Sequence, residues 1–215
     1  MRSVWVIVVA AGSGSRFGRP KQYEELAGRP VLDWSLAAAS ATATGPDDGV
    51  VLVVQTDRAS EPASGADRVV AGGTTRSSSV RAGLAAVPGD ADVIVVHDGA
   101  RPLAGAELFA RVVEAVREDA DAAVPAVEVT DTLRHRSGGA VDRDGLVAVQ
   151  TPQAFRAAAL RRAHAAAPEA TDDASLVEAA GGKVVVVDGS LANLKITRPI
   201  DLAIAEALLR FGETP

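Results

Sequence analysis

The stretch from Val4 to Tyr23, VWVIVVAAGSGSRFGRPKQY, constrains this chain more than any other part of it. It opens with an apolar, largely β-branched run, Val4 to Val9 with Trp5 among it, which reads as a buried parallel strand. The run stops in small residues: Ala10, Ala11, Gly12, Ser13 and Gly14 lack the bulk to keep a ligand away from the backbone. Glycine permits positive φ, so successive N–H groups can turn toward one concave point and hold an anion. Three cations then arrive within six residues: Arg16, Arg19 and Lys21. Hydrophobic strand, small-residue loop and cations, in that order, present a polyphosphate site at the carboxyl end of a strand.

Two better-known phosphate loops do not fit. The dinucleotide fingerprint G-x-G-x-x-G needs its third glycine where Phe17 sits, and the chain offers one a place late, at Gly18. The P-loop needs Gly-Lys-Ser/Thr, and here the chain reads Gly18-Arg19-Pro20-Lys21. Pro20 also interrupts any helix that begins at Gly14.

The chain has 215 residues and 47% hydrophobic content, enough to bury a substantial core in one α/β domain spanning 1–215. A net charge of −6 argues against a nucleic-acid or anionic-membrane partner, so any phosphate-binding charge must be local. Without cysteine there is no disulfide, thiolate nucleophile or Cys-ligated metal, and His97, His135 and His164 lack metal-ligand spacing. Met1-Arg2 before an apolar run and small residues imitates a secretion signal. Cleavage there would destroy the loop, so the expectation is a cytoplasmic enzyme with no membrane span.

Strand-like segments alternate with helical ones. Strands are expected at 50–54, 67–71, 93–96, 122–127 and 183–187. Helices are expected from Pro30 through the alanines that follow, and over 77–86, 106–120, 154–167, 173–180 and 200–210. That alternation implies an α/β fold, a Rossmann-like, mostly parallel sheet with helices on both faces and ligands at the strands' carboxyl ends. Gly12, Gly73 and Asp98 all fall at such ends. The segment 128–150 breaks the alternation with period-2 character, many charges and turn signals at Ser137-Gly138-Gly139 and Asp144-Gly145. It reads as an extended β-arm. A lone hairpin is marginal in water, so the arm either packs on another subunit or is a mobile loop.

Several positions carry chemistry by residue type alone. Backbone N–H groups from Ala11 to Gly14 suit a triphosphate, with Arg16 and Lys21 reaching over it to stabilise charge during phosphoryl or nucleotidyl transfer. Asp98, acidic at the end of a buried strand, suits either a Mg²⁺ ligand or a turn cap. Gly72-Gly73-Thr74-Thr75-Arg76-Ser77-Ser78-Ser79 reads, taken alone, as a helix start rich in capping residues.

The wording A-A-G-S-G-S-R-F-G-x-P-K-Q-Y closely resembles the 2-C-methyl-D-erythritol 4-phosphate cytidylyltransferase family of the non-mevalonate isoprenoid pathway. The resemblance runs from Val4 to Ala207 in at least six ordered blocks. It implies CMP transfer from CTP to the polyol phosphate, assisted by Mg²⁺ or another divalent cation, in a homodimer whose arm reaches across to the partner. It implies Arg16 and Lys21 as transition-state stabilisers, Asp98 as the metal ligand, and Arg143 and Lys195 as the residues that position the acceptor. The family segment G-G-x-x-R-x-x-S-V matches here with Gly72, Gly73 and Ser79, which the resemblance assigns to base recognition beside Ala10, Ala11, Gly12, Ser13 and Gly14. His97-Asp98-Gly99-Ala100-Arg101-Pro102 departs from the family's usual His-Asp-Ala-Ala-Arg-Pro by one small residue and keeps Asp98 and Arg101. On the acceptor side the resemblance implicates Arg101, Asp131, Thr132, Thr151 and Thr171, with Thr132 acting from the partner's arm. The nearest rival reading is the same chemistry on another polyol phosphate, such as ribitol 5-phosphate. A molybdopterin-type guanylyltransferase loop, L-A-G-G-x-S-x-R-M-G, fits less well. A non-catalytic nucleotide-binding regulator would not need Arg16, Lys21 and Asp98 together.

Overall fold

The computed structural model describes residues 3–212; Met1 and Arg2, which open the signal-like stretch, lie outside them. Strand β1 (Val4–Val9) runs up the middle of the main sheet and leads into the loop of residues 10–19. A single 3-10 turn, Lys21–Tyr23, and a two-residue hairpin of β2 (Glu25–Leu26) and β3 (Arg29–Pro30) return the chain to helix α1 (Val31–Thr42). Then come β4 (Gly49–Val54), β5 (Arg68–Ala71), α2 (Arg76–Ala86), β6 (Val93–Asp98), α3 (Ala106–Glu118) and β7 (Ala122–Glu128). After the arm follow β8 (Val147–Val149), β9 (Gln153–Arg156), α4 (Ala157–His164), α5 (Asp173–Ala179), β10 (Val184–Asp188) and α6 (Pro199–Arg210).

The sheet order is β10-β7-β9-β6-β1-β4-β5, with β8 beside β7. β1 is parallel to both β4 and β6, so the chain leaves β1 in one direction for β4 and β5 and resumes on its other side at β6. Strand order therefore reverses between β1 and β6, the place where an open α/β sheet leaves a crevice at its carboxyl edge. Gly12 follows β1 and Asp98 ends β6, so both stand at that crevice.

The near-continuous apolar runs of β1, β4 and β6 are explained by cover on both faces. One face packs Val6, Val8, Leu52 and Val95 against Leu36 of α1 and Phe109 and Val112 of α3. The other packs Ile7, Val53, Ile94 and Val96 against Val80 and Leu84 of α2, Leu160 of α4 and Val177 of α5. A third cluster, Phe17, Leu26, Val31, Leu103, Ile196 and Ala205, ties the end of the β1 loop to α6.

The expected elements fall within a few residues of those observed, with one correction. The span 154–167 does not open as helix: Gln153–Arg156 is strand β9, antiparallel to both β6 and β7, and α4 begins at Ala157. The alanine-rich run carries a helical preference, but Ala154 and Phe155 are fully buried in the sheet, and tertiary packing overrides so short a local signal. Pro30 also sits one place earlier than a first helical turn, at the cap of α1.

The segment 128–150 is an exposed extended arm. An isolated bridge pairs Arg134 with Ala140 around a turn in which Gly138 and Gly139 have positive φ, and β8 pairs back onto β7. Leu146, Val147 and Val149 are exposed to 43, 43 and 41%.

Candidate active site

The cleft at the carboxyl edge has a volume of about 240 Å³ and is built by three segments: the β1 loop and the turn after it, the start of α2, and the end of β6 with Lys195. Of the residues expected from sequence, Ala10, Ala11, Gly12, Arg16, Lys21, Gly73, Ser79, Asp98 and Lys195 line it. Its lining carries four cations, Arg16, Lys21, Arg76 and Lys195, against the single carboxylate of Asp98. That imbalance is the local positive charge that an acidic protein needs in order to hold a polyphosphate.

The loop owes its shape to backbone constraints. Gly14 has φ +70, and a Cβ there would stand 1.9 Å from the Arg19 carbonyl oxygen, so only glycine fits. Its carbonyl accepts from the N–H of Phe17 and of Gly18, closing the turn that brings Arg16 back over the strand end. Among the described residues, no acceptor pairs with the N–H of Ala11, Gly12, Ser13 or Gly14. Four consecutive donors left open in a glycine loop suit an anion. Gln22 braces the loop from behind, its Nε2 donating to Ala10 O at 2.8 Å and to Gly12 O at 3.1 Å.

The start of α2 forms the second wall. Thr75 caps the helix, its Oγ1 accepting from Ser78 N at 3.0 Å while Thr75 N donates to Ser78 Oγ at 2.9 Å. Ser79 lines the cleft, but its hydroxyl turns to the backbone: it donates to Thr75 O at 2.8 Å and accepts from Gly73 N at 3.2 Å. Gly72 stands behind this wall, where a Cβ would meet Ala11 Cβ at 2.4 Å, so its lack of a side chain lets the two walls approach each other.

Asp98 is the electrostatic centre. Lys195 Nζ lies 2.6 Å from its Oδ2, and Arg76 Nε lies 3.4 Å from its Oδ1. Burial alone would raise the Asp98 carboxyl, but Lys195 and Arg76 outweigh it and hold the group well below the usual carboxylate range. Lys21 is shifted down as well, but by different causes: burial, then repulsion from Lys195 and Arg16, lowers its pKa. Arg76 is anchored from behind by the fully buried Asp173, whose Oδ2 accepts from its Nη1 at 2.7 Å, and Asp173 Oδ1 lies 2.9 Å from His164 Nε2.

Behind Asp98 a second set of residues fixes the strand end. Thr151 Oγ1 accepts from Asp98 N at 3.0 Å and lies 3.3 Å from His97 Nδ1, while His97 Nε2 faces Arg101 O at 3.2 Å. With Thr151 accepting from the Asp98 N–H, its own proton points to His97 Nδ1, leaving Nε2 to donate to Arg101 O. Burial pushes the His97 pKa down to about 4, so the ring is neutral and structural. Arg101 donates to Asn193 O at 2.7 Å. Thr151 and Arg101 therefore stand one layer behind the cleft wall.

The remaining expected residues lie elsewhere in this chain. Ser13 and Gly14 occupy the outer bend of the loop, and Thr171 is exposed ahead of α5. Asp131, Thr132 and Arg143 sit on the arm, where Arg143 donates to Val129 O at 3.0 Å and to Thr130 O. Sequence reasoning assigned no site role to Gln22, Arg76 or His164. Arg76 was visible inside the Gly72–Val80 block, but its pairing to Asp98 and Asp173 joins residues far apart in the chain, which no local pattern records.

An open α/β sheet with a glycine-rich anion loop, converging cations and one carboxylate at its switch point is the arrangement of a nucleotidyltransferase. The family model for 2-C-methyl-D-erythritol 4-phosphate cytidylyltransferase matches residues 4–211, and the chain belongs to that family. It is 44% identical over 228 residues to the 2-C-methyl-D-erythritol 4-phosphate cytidylyltransferase of Rubrobacter xylanophilus, covering 99% of this chain and 97% of that protein. Identity to the Cereibacter sphaeroides enzyme of the same name is 46%, over 94% of this chain and 95% of that one. The crystal structure of the Thermus thermophilus enzyme superposes with a TM-score of 0.80 at 40% identity, covering 98% of this chain and all of that one. The chain is thus a cytidylyltransferase of the non-mevalonate isoprenoid pathway. It transfers CMP from CTP to 2-C-methyl-D-erythritol 4-phosphate, giving 4-diphosphocytidyl-2-C-methyl-D-erythritol and pyrophosphate.

Proposed function

We propose that this cleft performs the transfer in line, with the following division of labour. The open N–H groups of Ala11 to Gly14 hold the CTP phosphates, and Gly72, Gly73 and Ser79 shape the wall against which the base lies beside Ala10. The acceptor's phosphate monoester is largely dianionic at pH 7, its second pKa being about 6. One of its oxygens forms a bond to the α-phosphorus while the bond from that phosphorus to the bridging oxygen of the β-phosphate breaks. The electron pair departs with pyrophosphate, and no general base takes a proton. Arg16 and Lys21 balance the charge that gathers on the α-phosphoryl oxygens, and with no carboxylate ion-paired to either among the described residues they stay available for it.

A divalent cation, Mg²⁺ in this reading, fits the donor set. No group of three His, Asp or Glu side chains converges among the described residues. Mg²⁺ does not need such a cage, since it takes one or two carboxylates and fills its shell with phosphate oxygens and water. Asp98 would hold it, and the ion would supply charge neutralisation on the phosphates.

Arg143, Asp131 and Thr132 are too exposed on their own arm to complete this cleft alone, and the apolar Leu146, Val147 and Val149 beside them lack cover. We read the chain as one nucleotidyltransferase domain whose arm packs on a second copy. Arg143 and Thr132 then meet the acceptor in the partner's cleft, with Lys195, Arg101, Thr151 and Thr171 contributed by that partner. No helix among the described residues is long and apolar enough to cross a membrane. As a consumer of CTP the enzyme works in the cytoplasm.

The observation that carries this reading is the convergence of Arg16, Lys21 and Lys195 on a cleft whose one carboxylate is Asp98. The test is pyrophosphate release from CTP and Mg²⁺ with 2-C-methyl-D-erythritol 4-phosphate, comparing the native chain with Arg16→Ala and Lys21→Ala. Each substitution is expected to lower kcat by roughly 10²–10³ while CTP still binds. Turnover within a few-fold of native in both variants would remove these residues from the transition state.

A further inference from the structure

We propose that Gln22 is a positioning residue that aims the N–H groups of Ala11 and Ser13 at the nucleotide's phosphates. The inference rests on the reading that this loop holds those phosphates, and it adds the device that sets the loop's orientation.

Gln22 occupies the short 3-10 turn Lys21–Tyr23, introduced by Pro20. It is only 3% exposed, although both sequence neighbours are more open. A primary amide nitrogen carries two hydrogens, and here both are used, one on Ala10 O at 2.8 Å and one on Gly12 O at 3.1 Å. These carbonyls belong to alternate residues, so they flank one peptide unit and each begins another. A trans peptide is planar, and its C=O and following N–H point in opposite directions. Fixing Ala10 O toward Gln22 therefore turns the Ala11 N–H away from it, and fixing Gly12 O does the same for the Ser13 N–H. Among the described residues neither of these two N–H groups has an acceptor.

Among the described residues no other side chain donates to a carbonyl of residues 10–13. A Cβ built on Gly12 would meet no heavy atom within 4 Å, and Ser13 and Gly14 are not buried. A glycine with open space around it lets the peptide planes beside it flip readily, which would scatter the donors. The brace also joins two functions in adjacent residues. Lys21 reaches the cleft from the same short turn that Gln22 uses to grip the loop, so the cation and the donors keep one relative geometry.

Gln22→Met keeps the length and removes both hydrogens. Isothermal calorimetry on the full chain with Mg²⁺ is expected to show CTP affinity lowered by about tenfold, the effect of misdirecting one or two charge-assisted hydrogen bonds. Cytidine, which lacks phosphates, should bind the variant and the native chain alike, and kcat at saturating CTP and KM for the acceptor should stay within about threefold. Unchanged CTP affinity, or equal losses for CTP and cytidine, would overturn the proposal, because a merely structural role predicts one of those two results. A second measurement needs no substitution: inorganic pyrophosphate is titrated into the native chain while backbone amide resonances are followed. Ala11 and Ser13 are expected to move most within the loop. Movement at Gly12 and Gly14 without Ala11 and Ser13 would refute the aiming role and leave the phosphate loop standing. No movement anywhere in the loop would refute both.

Discussion

Lys195 and Asp98 stand 97 residues apart in sequence, yet Lys195 Nζ lies 2.6 Å from Asp98 Oδ2. The pair answers a specific problem. Asp98 must face the cleft from the end of a buried strand, where burial favours the neutral acid, and the nearby cations keep it ionised. Lys195→Met should therefore have two separable effects. Turnover should fall by roughly 10²–10³ from loss of a cation at the reacting phosphates. The acid limb of the kcat/KM profile should also move to higher pH, because Asp98 loses the strongest of the charges that hold its pKa down. A profile that keeps its acid limb while its height falls would mean that Lys195 does not control Asp98.

His97 sets part of the enzyme's acid sensitivity. Its pKa falls from 6.5 to about 4 because the ring is buried, so the unfolded chain takes up a proton in a range where the folded chain does not. Stability from this group is therefore complete above about pH 6.5 and is lost progressively down to about pH 4, a total near 3 kcal/mol. Asp98 adds a loss of the same sign at lower pH, since its folded pKa is also depressed. Urea unfolding of His97→Gln between pH 7 and pH 4 should show a flatter decline than the native chain. Parallel curves would assign the acid sensitivity elsewhere.

Gly14→Ala tests the loop's backbone without touching a charge. The substitution puts a side chain at φ +70 and drives its Cβ to 1.9 Å from Arg19 O. The loop must open, at a cost of order 1–3 kcal/mol for the strained backbone. CTP affinity should fall, and the melting temperature should drop by about 2–4 °C for each kcal/mol of that strain. Native CTP affinity in this variant would show that the loop's closed turn is dispensable.

Much of this was legible in the sequence, for physical reasons. The runs Val4–Val9 and Val93–Val96 announced buried parallel strands because both faces are covered, and the small residues from Ala10 to Gly14 announced a ligand approach because bulk there would exclude one. Strand β9 was hidden, since Gln153–Arg156 is four residues long and merges into the alanines of α4; only its insertion between β6 and β7 makes it a strand. Arg76 looked like one polar residue among several at a helix start. Its importance comes from Asp98 and Asp173, on β6 and α5, meeting it in space. The two hydrogen bonds from Gln22 to backbone carbonyls were hidden too: the sequence shows a glutamine inside the P-K-Q-Y wording but not what its amide meets.

Asp173 anchors Arg76 from the side away from the cleft, with His164 on its other oxygen. Asp173→Ala removes the carboxylate and leaves the Arg76 guanidinium largely buried with only Asp98 to answer it. Breaking a buried pair from one side costs about 3–5 kcal/mol. Thermal and urea denaturation should show a loss of that order, and a loss below 1 kcal/mol would mean that Arg76 reaches solvent without Asp173.

The arm offers a sharper test, because trans action has an arithmetic. Suppose Arg143 serves the partner's cleft and Lys195 its own. In a heterodimer of Arg143→Ala with Lys195→Ala, the first chain's cleft has its own Lys195 and receives the second chain's Arg143. That site is intact, while the other lacks both residues. Random reassociation makes half of the dimers mixed, each with one good site of two, so about a quarter of native activity should return from two nearly inactive parents. If Arg143 acts on its own chain's cleft, every site in the mixture lacks one residue and activity stays at the parental level. Pyrophosphate release from a mixture verified by mass spectrometry to contain heterodimers decides between them, and the absence of recovery would remove Arg143 from the partner's site.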